Sequence, residues 1–174
     1  MDWDQWPTTV SEMRHVSRLV CYPLPVNHIP SSAFSHVPLH VLKFGKTGIE
    51  AIPNVVCNLR QLTTLSFDTD SVVDVNAIVP YCQHDNHHPS TLLSMTLRGT
   101  GMTSIPDQVF KSFPTIDDLR ITGTDDKYLW INDLVTKLRQ HTLVYLLLGS
   151  MAKGLHRGST ADIPGGTVAY RDTP

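Results

Sequence analysis

The stretch Leu39-x-x-Leu42-x-Phe44-x-x-Thr47-x-Ile49-x-x-Ile52-Pro53-x-x-Val56-x-x-Leu59-x-x-Leu62-x-x-Leu65-x-Phe67 decides how this chain folds. Its opening triplet Leu39, Leu42, Phe44 returns as Leu62, Leu65, Phe67, an offset of 62 − 39 = 23. No single helix or strand has that period. A strand that turns, runs back along a second face and begins again does have it. Within the triplet, alternate side chains of an extended chain point inward and the intervening ones point out. Each inward set is too small to be stable alone and buries against the coils before and after it.

Working outward, the same period reaches back to a degenerate first unit. Val16, Leu19 and Cys21 lie 23 residues before Leu39, Leu42 and Phe44, and Ile29-Pro30 lies 23 before Ile52-Pro53. Cys21 therefore falls on an inward strand position, where a thiol packs as a small hydrophobe. Pro23, Leu24 and Pro25 predict an irregular first turn. Before this unit, Trp3 and Trp6 are expected to cover the open core face of the first coil. Thr9-x-x-Glu12 reads as a capping box for a short helix from about Val10.

Towards the C-terminus the third unit breaks the period, because its successor starts at Leu92 and 92 − 62 = 30. Val72, Val75 and Ile78 are spaced for a turn or two of helix in the insertion. A polar loop follows, holding Cys82, His84, His87 and His88. The fourth unit is regular: Leu92, Met95, Leu97, Thr100, Met102, Ile105-Pro106 and Val109. Leu119, Ile121 and Thr124 follow Met95, Leu97 and Thr100 by 24. Asn132 reads as the N-cap of a helix carrying Leu134, Val135 and Leu138. Leu143, Leu146 and Leu148 give a sixth strand. Thr47, Thr100 and Thr124 hold the place just after their strands, where a hydroxyl would bridge peptide groups left unpaired by the turn.

These units resemble the leucine-rich repeat family over roughly residues 16 to 148. The Ile-Pro-x-x-Val-x-x-Leu-x-x-Leu form at 23 residues is similar to the short class found in intracellular Ras-binding and scaffold proteins and in plant-type immune receptors. The resemblance implies an α/β solenoid, with a curved parallel sheet on the concave face and short helices, 3-10 turns and loops on the convex face. The expected organisation is an N-terminal cap segment at 1–15 and a repeat domain at 16–152. Strands are expected near 18–21, 41–44, 64–67, 94–97, 118–121 and 145–148, with a disordered tail at 153–174, where Gly, Ser, Thr and Pro dominate.

The resemblance also implies binding on the concave sheet, where Arg18, Tyr22, Lys43, Arg98, Asp118, Arg120 and Tyr145 would lie. Tyr and Arg are types that anchor interfaces. The expected function is a non-catalytic protein-protein interaction module, a signalling or adaptor scaffold whose partner is another protein. The alternatives are a sensor segment of a larger receptor or kinase and a metal-dependent enzyme built on Cys82, His84, His87 and His88, since thiolate and imidazole are zinc ligand types. No nucleophile elbow, phosphate-binding loop or His-Glu-x-x-His motif is present, so no catalytic residue and no cofactor are expected.

A formal net charge of −2 gives no footprint for nucleic acid. The apolar run Leu143 to Leu148 is too short to cross a bilayer, so no membrane insertion is expected. The first residues carry Asp2, Asp4, Glu12 and Arg14 with no apolar run of signal type. Three cysteines make no disulfide framework, and together these features lead to an expected cytoplasmic location. The sixth strand is apolar on both faces. Its edge would be covered by the tail, used for self-association, or continued by further repeats of a longer array.

Overall fold

The computed structural model describes residues 6–23, 26, 28–72, 77–83, 90–102, 107–124, 145–150, 160–163 and 166–170. Six strands follow the repeat: β1 (Arg18–Cys21), β2 (Val41–Thr47), β3 (Thr64–Val72), β4 (Ser94–Met102), β5 (Asp118–Thr124) and β6 (Tyr145–Ser150). Two more, β7 (Thr160–Ile163) and β8 (Gly166–Tyr170), complete one sheet in the order β1-β2-β3-β4-β5-β6-β8-β7. Strands β1 to β6 pair in parallel with their chain neighbours, so the chain is a parallel β solenoid.

The register follows the apolar pattern. Leu19, Leu42, Leu65, Met95 and Leu119 are successive partners across the first five strands. Cys21, Phe44, Phe67, Leu97 and Ile121 form the next inward row. From Leu42 and Phe44 onward both rows are fully buried. Phe44 and Phe67 meet edge to face at 6.4 Å between ring centroids, a favoured aromatic geometry. The connecting side of the core is closed by Ile49, Ile52, Val55, Val56, Val109, Phe110 and Phe113, on a 3-10 turn at Asn54–Asn58, a helix α1 (Asp107–Ser112) and the segments flanking them.

At the N-terminus, Trp6 is only 8% exposed and packs edge to face on Phe34 at 5.3 Å. The helix expected from Val10 is a 3-10 turn at Thr8–Glu12. Its N-cap is Pro7, with no side-chain cap hydrogen bond, so Thr9 and Glu12 do not form the expected box. Trp3 lies outside the described residues.

Backbone groups are satisfied at the entry of each strand. The carbonyl of Ser17 accepts the N–H groups of His40 and Val41, that of His40 those of Thr63 and Thr64, that of Thr63 those of Leu93 and Ser94, and that of Leu93 those of Asp117 and Asp118. Threonine hydroxyls reinforce this ladder. Thr63 Oγ1 donates to His40 O at 3.1 Å, Thr91 Oγ1 to Leu62 O at 2.9 Å and Thr115 Oγ1 to Leu92 O at 2.8 Å. The threonines singled out from the sequence sit elsewhere: Thr47, Thr100 and Thr124 are strand residues, and Thr47 and Thr124 end their strands. The strands run further than the Leu-x-x-Leu-x-Leu core, so the turn begins later than expected.

Two other expectations change. The helix expected from Val72 does not start there, because β3 runs through Val72 and that residue pairs with Thr100. The segment expected to be a disordered tail contributes β8, parallel to β6, and β7, antiparallel to β8. The β6 edge is therefore occupied by the chain's own β8, the first of the three fates considered for it. The helix expected after Asn132 lies outside the described residues. No helix among the described residues is long and apolar enough to cross a membrane.

Candidate functional site

The alternation that buries one row of each strand presents the other row to solvent. Arg18, Val20, Lys43, Arg98 and Arg120 are exposed, while Val41, Thr64, Ser66, Asp68, Ser94, Thr96 and Asp118 are half-buried. Backbone register sets the columns: Arg18 stands beside Val41 and Thr64, Val20 beside Lys43 and Ser66, and Asp68 beside Arg98. Asp118 stands beside Ser94 and, on the other side, Tyr145 at the start of β6. Arg18, Lys43, Arg98, Asp118 and Arg120 thus share one face, as the strand phase requires.

Charge is distributed unevenly over that face. Asp118 receives Arg120 Nε at 3.1 Å and Nη2 at 2.9 Å, and Ser94 Oγ at 3.2 Å. Arg98 Nε lies 3.9 Å from Asp68 Oδ1. The β3–β5 part is therefore close to neutral, and exposed pairs of this kind contribute about 0–1 kcal/mol each. At the β1–β2 end, Arg18, Lys43 and Lys46 form no ion pair among the described residues.

That end also carries exposed apolar surface. Val20 is 56% and Tyr22 58% exposed. Tyr22 lies over buried Gly45, whose missing side chain makes room: a Cβ there would run into the ring. Pairing between β2 and β3 shifts register after Phe44, and Lys46 takes a left-handed backbone with φ of 48°. This bulge aims the Lys46 ammonium at the Tyr22 ring, 5.9 Å from its centroid, within cation–π range.

The histidine-loop site loses a candidate ligand. Cys82 is bonded to Cys57 through a disulfide, so its sulfur is not free to hold a metal. His84, His87 and His88 lie outside the described residues. The disulfide joins the 3-10 turn of one coil to the insertion of the next, and two further ties flank it. Ile52 N–H donates to Ile78 O at 2.8 Å. Buried Ser112 donates to Pro80 O at 2.6 Å and accepts from Cys82 N–H at 3.0 Å and Gln108 Nε2 at 2.8 Å.

The pair also changes the argument about compartment. The cytoplasmic expectation rested in part on three cysteines making no disulfide framework, whereas Cys57 and Cys82 are bonded and only Cys21 is a free thiol among the described residues. Burial pushes the Cys21 thiol up to about 11, which keeps it protonated and unreactive near neutral pH. A cleft of about 750 Å³ lies on the connecting side, and His28, Ile29, Ser31, Ile49, Glu50 and Val55 are among its lining residues. The chain matches no protein-family model, curated protein or solved structure with which it was compared.

Proposed function

We propose that this chain is a non-catalytic protein-binding module of leucine-rich-repeat type, a signalling or adaptor scaffold that engages another protein across the outward face of its sheet. The observation carrying this reading is the in-register array of Arg18, Val20, Lys43, Arg98, Asp118 and Arg120, held on rigid strands by a continuous apolar interior. Rigid presentation lowers the ordering cost of association, and Tyr and Arg supply contact area and directed hydrogen bonds. The test is affinity capture with the wild type and with Lys43→Glu/Arg120→Glu. A partner lost from the double variant supports the reading. Identical capture by both proteins contradicts it.

The Cys57–Cys82 disulfide favours a second reading, a sensor segment of a larger receptor. Disulfides persist in oxidising compartments and are rare where thioredoxin and glutathione keep thiols reduced. The thiol state of the protein taken from its own cells under acid quench discriminates. An oxidised pair places the module in an oxidising compartment, and a reduced pair returns it to the cytoplasm.

A further inference from the structure

We propose that the β1–β2 end of the outward face is the partner-binding centre and that its ligand is an acidic protein segment carrying aromatic or aliphatic side chains. This inference rests on the protein-binding reading above and assigns its place and partner chemistry. Three observations converge on one patch. Val20, near the end of β1, and Tyr22, just after it, each expose more than half their surface. Arg18, Lys43 and Lys46 surround them, and none is in an ion pair among the described residues. The backbone is bent for the purpose: the register shift after Phe44 and the left-handed Lys46 bring an ammonium to the Tyr22 ring, and Gly45 leaves the ring space to lie flat.

Charge complementarity identifies the occupant. Carboxylates of a partner segment would meet three cations that have no ion-pair partner among the described residues, whereas at β3–β5 Asp68 and Asp118 already occupy that role. Apolar side chains of the same segment would cover Val20 and Tyr22, removing them from water. A nucleic acid fits less well. Three cations make few phosphate contacts, and the net charge of −2 supplies no long-range attraction for a polyanion. The left-handed Lys46 offers a clean probe, because glycine adopts that backbone without strain.

The experiment measures binding of a fluorescein-labelled random Glu–Tyr copolymer, with heparin as the comparison polyanion. The wild type is expected to bind the copolymer, and Arg18→Glu/Lys43→Glu to weaken it about tenfold or more. Tyr22→Ser and Lys46→Gly are each expected to weaken it several-fold, with Lys46→Gly leaving the melting temperature equal or higher. Lys111→Glu, an exposed position of α1 on the connecting side, is expected to bind as the wild type does. The proposal is overturned if the copolymer does not bind, or if heparin binds as well with the same variant profile and Tyr22→Ser has no effect. If the copolymer ignores all of these substitutions while a captured cellular partner is lost on Arg120→Glu, the acidic-segment assignment falls and the broader sheet-face reading stands. If neither responds, both fall.

Discussion

Leu65→Ala, set against Thr64→Ala, measures whether the coils share one interior. Leu65 is fully buried and stands between Leu42 on β2 and Met95 on β4. Truncation removes three carbons, about 2.4 kcal/mol of transfer free energy at about 0.8 kcal/mol per buried methylene. A cavity term adds to this at roughly 24 cal/mol per Å³. Both walls of the cavity are backbone-paired strands that cannot close on it, so relaxation is small. The expected loss is about 3–4 kcal/mol, within the range for buried leucines. Thr64 is the next residue and faces outward, half-buried, so its truncation should cost less than about 1 kcal/mol. Urea unfolding followed by far-UV circular dichroism reads the difference. With a slope near 2 kcal/mol per M, the Leu65→Ala midpoint should fall by about 1.5–2 M. Equal shifts at Thr64 and Leu65, or a Leu65 loss under about 1 kcal/mol, would refute the strand phase and the shared core with it.

Other outcomes follow from single contacts. Under non-reducing conditions iodoacetamide should leave Cys57 and Cys82 unmodified and label Cys21 slowly, as read by intact and peptide mass. The Cys21 rate should climb as pH approaches about 11, because burial disfavours the thiolate. The same raised value means that the neutral thiol stabilises the fold below pH 9, and that this stabilisation is lost as pH rises from 9 through about 11. Ser112→Ala removes a donor to Pro80 O and an acceptor for Cys82 N–H in a buried setting. It should cost about 1–3 kcal/mol and speed hydrogen exchange at residues 77–83. Gly45→Ala should displace the Tyr22 ring while leaving the inward rows in place. An unchanged ring-current shift on the Gly45 neighbours would contradict the packing described.

The strand phase was legible because it depends only on spacing. Leu19, Leu42 and Leu65 differ by 23 and are direct partners across β1–β3. The step of 30 from Thr64 to Ser94 absorbed the insertion without changing which side chains point inward. The outward face followed from the same arithmetic, which is why Arg18, Lys43, Arg98, Asp118 and Arg120 fall together. What escaped depends on contacts between distant loops. Cys57 and Cys82 are separated by 25 residues and belong to an odd set of three, so nothing in spacing alone paired them. Among the described side chains, Thr63, Thr91 and Thr115 at strand entry give hydroxyls to the carbonyls of the preceding coil, a role their positions before the apolar motif did not mark, while the strands run on past that motif through Thr47, Thr100 and Thr124. The final hairpin carries a compositional mark of its own. Two short segments rich in Thr, Val, Ile and Ala flank Pro164-Gly165, a length and composition suited to a tight turn.

The bond between Cys57 and Cys82 has a mechanical consequence. Pulled from its ends, a ladder of parallel strands yields one coil at a time, since each is hung on the carbonyls of the one before. The disulfide would withhold 25 residues from that extension, roughly 80–90 Å of contour length, until it is reduced. A reducing surrounding would therefore lengthen the tether without altering the order in which the coils give way.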